Sequence, residues 1–79
     1  MKVVFLFLLV VASESSYETI KIPYGFSLFP LTCEEIFNKT VKFKYTENSG
    51  TYAIYKNKVV FGHFCKDENG DYYLGYGQH

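Results

Sequence analysis

From Thr40 onward polar and apolar residues alternate with period two, setting Val41, Phe43 and Tyr45 on one side and Thr40, Lys42, Lys44 and Thr46 on the other. That pattern predicts a half-exposed strand. Glu47-Asn48-Ser49-Gly50 then turns the chain, Thr51 to Tyr55 supplies a second strand, Lys56-Asn57-Lys58 turns again, and Val59 to Cys65 supplies a third. Connections this short join antiparallel neighbours. Asn69-Gly70 is the strongest hairpin signal in the chain, because a type I′ turn needs φ > 0 at both central residues, and it predicts that 59–67 pairs with 71–77. In that register Cys65 faces Leu74 and His63 faces Tyr76, with Tyr72 on the same side. Tyr73 falls on the opposite face with Val60 and Phe64.

Upstream, Ile20 and Ile22 alternate with Thr19 and Lys21, predicting a strand over 18–22 that ends at Pro23-Tyr24-Gly25. Thr32-Cys33-Glu34-Glu35 has the form of a capping box, with Leu31 and Ile36 at the staple positions. A short helix should run from about Cys33 to Phe37 and turn Cys33, Ile36 and Phe37 toward the sheet. Together these elements predict a small β-rich (α+β) single domain over 17–79. It is an antiparallel meander of about four to five strands with one short helix.

Before these elements, Met1-Lys2 and the unbroken apolar run Val3 to Ala12 outline a signal peptide, residues 1–13, cleaved after Ala12, Ser13 or Ser15. At ~1.5 Å per residue the run reaches only about half-way across a bilayer core as a helix, so it predicts no stable membrane span. The alternative for the same run is a buried N-terminal strand, since Val and Phe favour strands. Cys33 and Cys65 are the only cysteines, and in an exported small chain they predict one disulfide. Asn38-Lys39-Thr40 is a glycosylation sequon, which makes Asn38 a candidate glycan acceptor.

Composition narrows the function. Lys+Arg and Asp+Glu balance at 8 each, every one of the cations is lysine, and the formal net charge is zero. With no guanidinium fork and no basic stripe, nucleic-acid binding is not expected.

Candidate chemistry is sparse. Asp67-Glu68-Asn69-Gly70-Asp71 resembles the start of a calcium loop, but Tyr72 stands where the loop needs glycine and Gln78 where it needs a bidentate glutamate. His63 and Cys65 share a strand face, yet a disulfide removes the thiolate, and the spacing of Cys33, His63, Cys65 and His79 fits no familiar zinc site. No metal, no cofactor and no enzymatic activity are expected.

The chain has eight tyrosines and eight phenylalanines, more aromatic area than a small core hides. Tyr72, Tyr73 and Tyr76, on a terminal strand without Lys or Pro to blunt it, are therefore candidate interface residues, for another protein or for self-association through that edge. The expected function is a secreted, extracellular binding module acting through protein–protein contact as a ligand, inhibitor or host-directed effector. The alternative is a membrane-active or antimicrobial polypeptide, against which the neutral charge counts.

Overall fold

The computed structural model describes residues 2–26, 31–48 and 50–74. Five antiparallel strands, β1 (Lys2–Ser13), β2 (Ser16–Phe26), β3 (Lys42–Thr46), β4 (Gly50–Tyr55) and β5 (Lys58–Asp67), form one sheet in the order β2-β1-β5-β4-β3. A single helix, α1 (Cys33–Thr40), links β2 to β3. The expected β-rich domain with one short helix and one disulfide is thus the fold observed: β3 to β5 form the meander, and the β1–β2 hairpin joins it along β5.

The apolar run at the N-terminus, which carries the outline of a leader, here occupies the centre of the sheet as β1. That is the buried-strand alternative for the same residues. Alternation explains how it fits: Val4, Leu6, Leu8 and Val10 have no exposed surface, while Phe5, Phe7 and Leu9 between them are half-buried. Ala12, Ser13 and Ser15, after which the leader pattern places cleavage, all lie exposed around the turn between β1 and β2.

α1 closes the side of the sheet to which Val4, Leu6, Leu8 and Val10 point. Thr32 accepts the Glu35 amide at 3.1 Å and Glu35 accepts the Thr32 amide at 3.0 Å, completing the expected capping box. Ile36 is fully buried and Cys33 nearly so. Cys33 bonds to Cys65, which lies opposite Leu6 on β5, with the two Cα atoms 5.9 Å apart. In the chain-entropy model, closing a loop of this length contributes roughly 3 to 4 kcal/mol, a large share of a small domain's stability.

Three expectations are corrected. The strand expected to stop before Pro23 runs on to Phe26, because β2 is an edge strand, where a residue without an N–H is tolerated.

Second, the type I′ turn lies at Lys56-Asn57, whose φ angles are 49° and 67°, between the paired residues Tyr55 and Lys58. Asn69-Gly70 belongs instead to a three-residue loop. The Asp67 carboxylate accepts the amides of Asn69 (2.9 Å) and Asp71 (3.0 Å), and only Gly70 has positive φ, at 87°. The register therefore slips by one residue, so that Lys66 pairs with Tyr72 and the Tyr73 amide donates to the Cys65 carbonyl. A slip of one exchanges the faces. Tyr73 is consequently buried on the Cys65 side, while Tyr72 and Leu74 are 64% and 71% exposed.

Third, the register between β1 and β5 shifts between Leu9 and Val10, a bulge that puts Val60 on the core side and Gly62 with Phe64 on the other. Tyr76 and His79 lie outside the described residues.

Candidate binding face

On the helix side, the disulfide brings Glu34 beside His63, two residues from Cys65. Glu34 Oε1 stands 3.0 Å from His63 Nε2, and the imidazole stacks on the Phe37 ring with centroids 3.8 Å apart. Strand periodicity alone places no carboxylate beside His63. The bond between Cys33 and Cys65 is the signal that supplies one, since it fixes the helix start against β5. The pair has no thiol to activate, because both sulfurs are in the disulfide. A hollow of about 240 Å³ adjoins it, walled partly by the disulfide, Tyr72 and Tyr73. Among the described residues no cluster of His, Cys, Asp and Glu has the size of a metal site, and the Asp67 carboxylate is occupied by its own loop.

Two groups here carry shifted protonation equilibria. The Glu35 carboxyl is held below the usual glutamate range by its hydrogen bond from the Thr32 amide, then by the Thr32 hydroxyl, with a smaller contribution from Lys39. Burial pushes the Tyr73 phenol up, and Glu35 adds to it. That phenol donates to the Leu31 carbonyl and is a packing group.

The other side of the sheet is different. Among the described residues α1 is the only element outside the sheet, and it lies over the core side, so no described element packs on the face presented by Phe5, Phe7 and Leu9. Cross-strand partners share a face, which assigns Lys21, Phe64, Lys66, Tyr72 and Ile54 to this open side. Phe7 and Phe64 stack at its centre, with ring centroids 4.8 Å apart and planes within 8°. Tyr72 meets Phe64 edge-on at 5.8 Å, and Phe61, 55% exposed at the bulge, meets Tyr17 at 5.1 Å. Gly62 lets Leu9 lie flat here, since a Cβ at that position would come 3.0 Å from a Leu9 methyl.

Of the candidate interface tyrosines, Tyr72 is thus exposed on the open face, and Tyr73 is buried under it. The aromatic centre at Phe7 and Phe64 escaped the sequence reading, because it forms only when β1 and β5 become neighbours. Asn38 is exposed on α1, on the far side of the sheet. Comparison with known protein families, curated proteins and solved structures finds no match.

Proposed function

We propose that the chain is a small exported binding module that works by contact through the open face of its sheet and performs no chemistry of its own. The observation that carries this reading is the Phe7–Phe64 stack, half-buried at the centre of a face on which no other described element packs. Apolar side chains left partly open on a sheet face are the kind of surface that interaction sites use. A disulfide compatible with an extracellular protein supports export. A glycan on Asn38 would project from the helix side and leave the open face clear.

A photo-crosslinking phenylalanine analogue in place of Phe64 tests the reading against the same analogue in place of Lys39 on α1. Adducts should form from position 64 and not from position 39, on the disulfide-intact chain presented to intact cells. Adducts from the helix side alone, or from neither position, would overturn it.

A further inference from the structure

The formal charge of zero conceals a separation of charge by face. Lys21 and Lys66 share the open face with the aromatic centre, and Lys42 and Lys44 join them, paired with Ile54 and Tyr52. No acid shares that face among the described strand positions. Glu18 and Asp67 pair with Val10 and Val4 on the core side, Glu34 and Glu35 are on the helix, and the others lie in turns. We infer that the open face docks on an anionic lipid surface, with its phenylalanines in the apolar boundary and its lysines among the headgroups. This rests on the contact reading above and names the partner.

The lysines are already disposed for that interface. Lys21 Nζ stands 4.4 Å from the centroid of Phe5, and Lys66 Nζ stands 5.0 Å from that of Tyr72, so each ammonium lies over an aromatic ring of this face. A lysine side chain is long enough to carry its ammonium from such a ring to a headgroup while its methylenes stay on apolar surface. Toward the β3–β4 end, a hollow of about 450 Å³ is lined by Lys42, Lys44, Lys56 and Ile54, among others, and includes no acid. Its charge suits a phosphate or carboxylate headgroup beside an apolar wall.

A second copy fits poorly, because face against face would set lysine on lysine. A protein partner also fits less well: protein interfaces deplete lysine and favour arginine and tryptophan, and this chain has neither of the latter. The neutral charge that counts against a membrane role in the sequence is an average over two unlike faces.

The test is sedimentation of the full-length, disulfide-intact chain with vesicles of phosphatidylcholine alone or with about a third phosphatidylserine. One lysine near an anionic surface is worth roughly fivefold in affinity, so the anionic vesicles should be favoured by roughly a hundredfold or more, less so at high salt. Lys42→Gln with Lys44→Gln should weaken binding by roughly twenty-fivefold at an unchanged melting temperature, Lys39→Gln should not, and soluble glycerophosphoserine should not compete. The intact mass of the bound chain should include residues 2–13.

Equal binding to both vesicles, competition by the soluble headgroup, or a bound chain lacking β1 would overturn the inference. So would a protein adduct from position 64 without vesicle binding, although that result leaves the contact reading standing. Loss of adducts from position 64 as well would end both.

Discussion

Tyr73 shows how much one residue of register decides. Read from Asn69-Gly70 as a two-residue turn, it points outward. In the fold it is 6% exposed, and its hydroxyl donates to Leu31 across 42 residues of sequence. The difference lies in the Asp67 carboxylate, which collects two amides and lengthens the loop by one. Tyr73→Phe should therefore cost about 1 kcal/mol, because it leaves the Leu31 carbonyl without this donor. Tyr73→Lys should cost several kcal/mol by placing an ammonium beside the disulfide, whereas Tyr72→Lys, exposed but opposite Lys66 and edge-on to Phe64, should cost about 1 kcal/mol. Urea denaturation of the three variants checks this order, and an innocuous Tyr73→Lys would restore the outward register. His63 teaches a related lesson at the same scale: its distance to Glu34 is set by a bond between two other residues, so periodicity could not reveal it.

At the scale of elements, the start of the helix was legible because its partners are three residues apart. The capping box could be read directly, since Thr32 and Glu35 satisfy each other. Thr32→Ala should cost about 1 kcal/mol. Because the folded Glu35 pKa is depressed, its contribution is present above the ordinary glutamate range near about 4.3 and is lost as pH falls through the folded value. Glu35→Gln keeps an acceptor for the Thr32 amide and should flatten that acid limb in thermal melts taken between neutral pH and pH ~3. A limb unchanged in the variant would assign it to other carboxylates.

The turns invert the sequence's ranking. Lys56 holds φ at 49° with a full side chain, so Lys56→Gly should stabilise the β4–β5 hairpin by roughly 0.5 to 1 kcal/mol. Asn69→Ala should cost less than Gly70→Ala, since only Gly70 has positive φ. Equal losses at 69 and 70 in calorimetry would favour the two-residue turn.

For the whole molecule, α1 and the neighbouring strands β3, β4 and β5 were readable from capping, alternation and short connections. The place of β1 was not, because an unbroken apolar run has the outline of a leader and does not say which strands it would adjoin. The open face exists because β1 separates β2 from β5 and brings Phe7 against Phe64. Burying Val4, Leu6, Leu8 and Val10 is worth roughly 6 to 12 kcal/mol at 1.5 to 3 kcal/mol each, as much as the net stability of most small domains. A chain shortened to begin at Glu14 or Ser16 loses that contribution together with Phe5 and Phe7. It also leaves β2 without the strand it pairs with along almost its whole length. The leader pattern and the central strand thus make opposite demands on the same residues. In the sheet described here the intact mass of the folded protein must include 2–13, and the shortened chain should show little cooperative unfolding by circular dichroism even with its disulfide formed. A shortened chain that melts cooperatively, with native-like sheet content, would show that β1 is dispensable. The sheet would then have to close by pairing β2 with β5 in parallel, and the face built on Phe7 would not exist in the mature protein.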